Sequence, residues 1–277
     1  MQPLKELSTP DFAGDLDLIT QAASKAGRIA MGFFKCDPDV WYKGENRSPV
    51  SAADLAVDRY LRETLLAARP DYGWLSEETE DVGDRLVKPT VFVVDPIDGT
   101  RAFVGGRDTW CISVGIVHGG QPVAGVLVAP ALEETYTAVA GAGSYLNGVR
   151  LAMAHEEHAG SDIRPGIRIV APQVVETRLP KSWQAGVIRP SRIPSLAYRI
   201  GMIAAGRLDA TFVKPNAHDW DIVAADVILR EAGGTMIDQS GHALVYDRAE
   251  TTHGMLLAAT PALARPLASV LADFAGH

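Results

Sequence analysis

Near the start of the chain, Leu16, Ile19, Ala23, Ala26, Ala30 and Phe33 recur at helical spacing. Side chains so placed share one face, and the run predicts an amphipathic helix that ends before Pro38. A polar, turn-rich segment follows at residues 43–49. Ser51 and Asp54 stand in capping-box register and predict a second helix over residues 55–68, stopped by Pro70-Asp71-Tyr72-Gly73. The period then changes. Val91-Phe92-Val93-Val94 is a continuous apolar run of β-branched and aromatic side chains, the signature of a buried strand. Residues 111–117, 123–128 and 134–139 read as further strands, the first closed by Gly119-Gly120, and their tight connections predict an antiparallel sheet.

Residues 155–165 are polar and read as a linker or exposed loop. Beyond them the pattern is strand 167–170, helix 195–205, strand 210–213, helix 222–232 and strand 235–237, with a last helix over 261–274. That alternation predicts an α/β lobe. The chain thus divides into an α+β lobe over residues 1–152 and an α/β lobe over 153–277, an α/β protein overall.

Composition narrows the classes. The chain has 277 residues, enough to bury one large core or two smaller ones. A formal net charge of −8 opposes nonspecific binding to nucleic acid or anionic lipid, so neither is an expected partner. It does not oppose a phosphorylated substrate, because bound cations can reverse the sign of a small site. The first ten residues lack the basic and apolar regions of a signal peptide. No apolar run reaches the roughly 18–20 residues a membrane helix needs. Two cysteines, Cys36 and Cys111, make no disulfide framework and read as reduced thiols. The expected location is the cytoplasm.

The candidate chemistry begins where the buried strand ends. Val94 runs into Asp95-Pro96-Ile97-Asp98-Gly99-Thr100. Two carboxylates beside an apolar strand need compensation, and a hard divalent cation such as magnesium supplies it. Pro96 removes a donor, and Gly99-Thr100 can open a helix whose free N–H groups would receive a phosphate. The same residues also fit a plain Asp-Gly turn and a helix cap. The acidic run Ser76-Glu77-Glu78-Thr79-Glu80 also fits a solvated loop, Asp219-Trp220-Asp221 a helix start, and Asp54 its capping box. The combination shifts the balance: carboxylates at 54, 77, 95, 98 and 221 would furnish a multi-metal site if the fold gathers them.

In their order and spacing, Ser76-Glu77-Glu78, Asp95 to Thr100 and Trp220-Asp221-Ile222-Val223-Ala224 resemble the motifs of the inositol monophosphatase-like, lithium-sensitive phosphatases. The likeness extends through residues 48–54, 143–148 and 231–234. It implies a layered αβαβα sugar-phosphatase fold and a phosphomonoesterase using two to three Mg2+ ions and an activated water. By position, it implies that Glu77, Asp95 and the Ile97 carbonyl hold one ion, that Asp95, Asp98 and Asp221 hold a second, and that Glu77 faces a third. Gly99 and Thr100 would contact the phosphate, with Asp98 and Asp221 beside the substrate, while Asp54 and Thr100 would orient and deprotonate the water. It also implies a small phosphorylated metabolite as substrate and, since members are often dimers, a homodimer.

The chain departs from the inositol-specific pattern at two places. Ile193-Pro194-Ser195-Leu196 stands where those members carry Gly-Ser/Thr-Ala, and Lys214 stands where they carry a glutamate that accepts from inositol hydroxyls. Lysine cannot accept such bonds but can hold a second phosphate. Ser195-Leu196 also resembles the 3′(2′),5′-bisphosphate nucleotidases, which makes 3′-phosphoadenosine 5′-phosphate the expected substrate. Ser195, Lys214, Arg192 and Arg199 are the selectivity candidates, although a solvated lysine is an alternative reading of Lys214. An inositol-1-phosphate phosphatase is the alternative within the class. A regulatory partner of RNA machinery is the alternative outside it.

Overall fold

The computed structural model describes residues 12–36, 40–43, 48–153, 166–184, 186–190 and 193–274. The first helix, α1, spans Phe12–Met31. Strands β1 (Val40–Lys43) and β2 (Ser48–Ser51) pair antiparallel and lead into α2 (Ala52–Ala68). Seven strands then form one sheet: β3 (Gly73–Ser76), β4 (Thr90–Asp98), β5 (Cys111–His118), β6 (Gln121–Ala129), β7 (Glu134–Val139), β8 (Gly143–Leu146) and β9 (Val149–Leu151). The short helix α3 (Thr100–Val104) sits between β4 and β5.

The second half supplies β10 (Ile167–Val170), α4 (Gln173–Glu176), α5 (Lys181–Gln184), β11 (Val187–Ile188), α6 (Leu196–Ala204) and β12 (Ala210–Val213). These are followed by β13 (Ala217–His218), α7 (Asp219–Glu231), β14 (Thr235–Ile237), β15 (Thr252–His253), β16 (Leu256–Ala259) and α8 (Pro261–Ala272). Its five-stranded sheet has the order β11-β10-β12-β16-β14.

The expected antiparallel sheet is therefore mixed, because β3 joins β4 in parallel at its edge. Strand β16, absent from the expected elements, is a central strand between β12 and β14. Helices α2 and α7 each begin three residues earlier than expected, at Ala52 and Asp219, and α8 ends at Ala272. The polar 155–165 segment and Arg192 lie outside the described residues.

Burial explains the layering. On β4, Phe92 and Val94 face α1 and α2, packing with Ile19, Ala23, Leu61 and Leu65. Val91 and Val93 face the other way, into a core with Ile200 and Ile203 of α6 and Val223, Ala224 and Ile228 of α7. A strand covered on both faces has no polar side to show, which is why 91–94 reads as continuous apolar sequence. The five-stranded sheet covers the outer side of α6 and α7, and its own outer face packs Phe212, Leu257 and Ala259 against Leu263, Leu267 and Leu271 of α8. The result is five layers, αβαβα, with α6 and α7 shared between the two sheets.

One close approach places α7. Gly115 of β5 and Gly125 of β6 are register partners beneath it. A Cβ on Gly125 would lie 2.7 Å from the Ala224 carbonyl oxygen, and one on Gly115 would lie 2.5 Å from Val223 Cγ1. The helix thus rests on the sheet backbone. Gly125→Ala should push α7 outward, lowering stability by about 1–3 kcal/mol together with activity, because α7 carries Asp221. Urea unfolding measures this, and an unchanged midpoint would contradict it.

Candidate active site

The carboxylates gather because β4 is irregular. Asp95 pairs with Ser113 and Asp98 with Cys111, so three steps on β4 match two on β5. In a regular strand residues three apart face opposite sides; the extra residue of this bulge turns both to one side. The Ile97 N–H donates to Asp95 Oδ1 at 3.0 Å, inside the bulge. Gly99 then takes a left-handed backbone, φ 92°, and its missing Cβ would lie 2.9 Å from that of Ser195. Thr100 opens α3, and the N–H groups of Thr100 and Arg101 precede the first intrahelical bonds, which Ala102 and Phe103 donate to the Gly99 carbonyl. Its hydroxyl lies 3.1 Å from the Ile97 carbonyl and 3.4 Å from Asp54 Oδ1.

Asp54 is the third residue of α2. Its Oδ2 accepts the Ser51 N–H at 2.8 Å and the Ser51 hydroxyl at 2.6 Å, which leaves Oδ1 toward Thr100. Burial pushes its pKa up to about 6 against the lowering effect of the Ser51 bonds, with the charge of Glu78 adding to the rise. One turn along, Asp58 accepts the hydroxyls of Ser76 (2.5 Å) and Thr79 (2.8 Å), pinning the loop between them. That loop carries Glu77, whose N–H donates to the Val94 carbonyl at 3.2 Å. Asp58 did not emerge from the sequence as a site residue; its signal was a carboxylate four residues after Asp54, on the same helix face.

Asp221 comes from the other half. It is the third residue of α7, and its Oδ2 accepts the His218 N–H at 2.7 Å. Burial raises its pKa to about 7, with Asp98 as the next cause. Asp95 is raised well above the usual carboxylate range, first by burial and then by Glu77, Asp98, Asp221 and Asp54. Carboxylate oxygens of Asp95, Asp98 and Asp221 all lie within 4.8 Å of one another.

The α6 start is where the structure revises an expectation. Ser195 is fully buried, and its hydroxyl is 2.5 Å from Asp98 Oδ2 rather than open to the cavity. Asp98 also accepts the N–H groups of Ala197 (2.6 Å) and Leu196 (3.2 Å). Ser195 therefore caps α6 and steadies Asp98, and in this arrangement has no hydroxyl face for a substrate.

A cavity of about 670 Å³ opens above these groups. Glu77, Asp95, Asp98, Gly99, Thr100 and Asp221 form its floor; Ile169, Pro172, Ile193, Pro194, Phe212 and Val213 give it apolar walls. Its cationic lining is Arg101, Arg189, Arg199 and Lys214. Lys214 is exposed, Arg189 pairs with Glu176 at 3.1 Å, and Arg199 donates to the Ile193 carbonyl at 3.3 Å.

The electrostatics of the donor set favour a cation. Buried carboxylates that raise one another's pKa form an arrangement that a divalent cation relieves, and an all-oxygen set suits a hard ion such as Mg2+. The residues fit the group.

A layered α/β scaffold with a carboxylate-floored cavity at the end of a buried strand has the donor set of a metal-dependent hydrolase, and the family to which it belongs makes the class that of phosphoric monoester hydrolases. The chain belongs to the inositol monophosphatase family, whose model matches residues 15–273. It is 34% identical over 234 residues to an inositol-1-monophosphatase of Rhizobium meliloti (strain 1021), covering 82% of this chain and 86% of that protein. It is 28% identical over 246 residues to the 3′(2′),5′-bisphosphate nucleotidase CysQ of Aggregatibacter actinomycetemcomitans, covering 84% and 87%. The solved structure of extragenic suppressor protein suhB from Bartonella henselae superimposes with a TM-score of 0.77 at 26% identity, covering 94% of this chain and 99% of that one. The family is metal-dependent, typically on Mg2+, and sensitive to lithium. Among the described residues no helix is long and apolar enough to cross a membrane, and both cysteines are free.

Proposed function

We propose that this chain hydrolyses a small phosphorylated metabolite carrying a second phosphate, with 3′-phosphoadenosine 5′-phosphate as the preferred substrate. The observation that carries the choice is Lys214, an exposed cation on the rim of the cavity that holds the carboxylates. The apolar walls beside it suit a base better than a polyol.

In this reading Glu77, Asp95, the Ile97 carbonyl, Asp98 and Asp221 would hold two to three Mg2+ ions, which would supply charge neutralisation at the phosphate and acidify water. The chain's own residues do the rest. Gly99 and Thr100 receive phosphate oxygens on the free N–H groups at the start of α3. Asp98 and Asp221 flank the substrate. Asp54, fixed by Ser51, takes the proton of the attacking water, and the Thr100 hydroxyl orients that water between Asp54 and the phosphate. Displacement is in line, with no covalent phosphoenzyme. The P–O bond to the leaving group breaks as the water oxygen bonds to phosphorus, and the leaving oxygen takes a proton from solvent while Asp54 later releases its own.

A Mg2+-dependent phosphate-release screen would compare 3′-phosphoadenosine 5′-phosphate, inositol 1-phosphate, histidinol phosphate and fructose 1,6-bisphosphate. The nucleotide should give the highest kcat/KM, and Lys214→Glu should lower that value about tenfold relative to inositol 1-phosphate. Equal rates on the two substrates, or an unmoved ratio in the variant, would reject the choice. Inositol 1-phosphate is the second reading, favoured by the higher identity to the Rhizobium protein named for it. A regulatory partner of RNA machinery is the reading from another class, and the intact carboxylate set argues against binding as the sole role.

A further inference from the structure

We infer that Asp219 is a positioning residue for the metal site, coupled through Asp247 to the buried Arg85. The inference rests on the metal assignment proposed above. Asp219 is the first residue of α7, two before Asp221, and is 1% exposed. It lies outside the cavity lining, as do Asp247 and Arg85, so none of the three reaches a substrate there. The Asp219 N–H donates to the Thr251 carbonyl at 3.0 Å. Its Oδ2 accepts the Asp247 N–H at 2.9 Å, and its Oδ1 is 2.7 Å from His253 Nε2. Three bonds therefore tie the first residue of α7 to the 247–253 segment.

That segment is tied in turn to the loop bearing Glu77. Asp247 has a left-handed backbone, φ 56°, and its Oδ1 accepts Arg85 Nη1 at 2.5 Å. Arg85 is fully buried; it also donates to Asp81 Oδ2 through Nε (3.0 Å) and Nη2 (2.7 Å), and to the Arg248 carbonyl at 2.9 Å. Its turn, Asp84–Val87, follows directly on the 77–83 loop. A run of hydrogen bonds, charged at Arg85, thus joins the Glu77 loop to the Asp221 turn outside the cavity lining. These are the two candidate ligands that do not come from β4, and this run links them directly, in addition to the Asp58 bonds that pin the Glu77 loop and the glycine seat beneath α7.

The chemistry also favours a role beyond packing. Asp219 adds a further buried carboxylate close to a cluster whose members already repel, an arrangement that is unfavourable unless its acceptor geometry is required. Both of its oxygens face donors. An asparagine keeps an acceptor for the Asp247 N–H but presents an NH2 to His253, which forces Nε2 from donor to acceptor and removes the negative charge.

Asp219→Asn tests this in the full chain. The midpoint for Mg2+-induced thermal stabilisation, and that for Mg2+ activation, should rise by about tenfold or more, while kcat at saturating Mg2+ stays within about threefold of wild type. Asp247→Asn keeps the backbone donor but weakens the Arg85 pair, and should raise both midpoints less. It serves as the test should Asp219→Asn not fold. A lowered melting temperature with unmoved Mg2+ midpoints would make Asp219 merely structural and overturn the inference. Asp221→Asn is the control: if it too leaves the Mg2+ midpoints unmoved, the metal assignment itself fails, whereas a shift in Asp221→Asn alone rejects only the role of Asp219.

Discussion

Asp95→Asn is expected to lower turnover by at least roughly a thousandfold while leaving the metal-free protein folded and more stable than wild type at pH 8. The side chain keeps its shape, and what disappears is the charge at the centre of the cluster. Asp95 is 2% exposed and feels Glu77, Asp98, Asp221 and Asp54. The sign follows from linkage. Asp221 at about 7 and Asp54 at about 6 lie, with Asp95, above the 3.8 of an ordinary aspartate. The folded, metal-free state therefore binds more protons than the unfolded state between about pH 4 and pH 7. The contribution of Asp54 and Asp221 falls as pH rises through that window and is fully a penalty above it, and Asp95, raised further by its neighbours, acts in the same direction. Mg2+ at pH 8 should recover the loss in wild type and recover little in Asp95→Asn. Scanning calorimetry with and without chelator, read as the difference between the two proteins at pH 5 and pH 8, isolates the cluster from other carboxylates. Surviving activity, or a difference that does not grow with pH, would remove Asp95 from the centre of the site.

The second large effect concerns proton transfer. Asp54→Asn should reduce kcat by about 10²–10⁴-fold and leave Mg2+-induced stabilisation in place. Ser51 holds one carboxylate oxygen twice, and the other faces Thr100 Oγ1 at 3.4 Å. A carboxyl raised to about 6 is a better base near neutrality than an ordinary aspartate. Thr100→Val removes the hydroxyl and should reproduce part of the loss. If instead Asp54→Asn abolished the Mg2+ effect and left kcat unchanged at saturating metal, the residue would belong with the ligands.

The local elements were legible because their signals are local. The β4 run is apolar on both faces, α1 shows a single stripe, and the Ser51–Asp54 spacing marks the start of α2. The carboxylates were legible as a set through their order along the chain. Less legible was what depends on contacts distant in sequence. The bulge that turns Asp95 and Asp98 to one side exists only against β5. Ser195 reads as a polar residue before a helix, and only the fold brings its hydroxyl to Asp98, some hundred residues away. Strand β16 escapes because Leu256-Leu257-Ala258-Ala259 has neither β-branching nor alternation, and it becomes a strand by filling the gap between β12 and β14. Asp219 was visible as a helix start, but its partners, Asp247 and His253, lie about thirty residues on.

The glycine pair beneath α7 has a bearing on how such a site withstands mutation. Where helix meets sheet through Gly115 and Gly125, the spacing is set by main-chain atoms against main-chain and Cβ-branched atoms. No rotatable side chain on the sheet mediates it. Substitutions among the neighbouring leucines, isoleucines and valines can therefore be absorbed by repacking around that seam, while the helix bearing Asp221 keeps its height above the strand that leads away from Asp98. The catalytic geometry is thereby insulated from sequence drift in the core at the price of two positions that cannot drift at all.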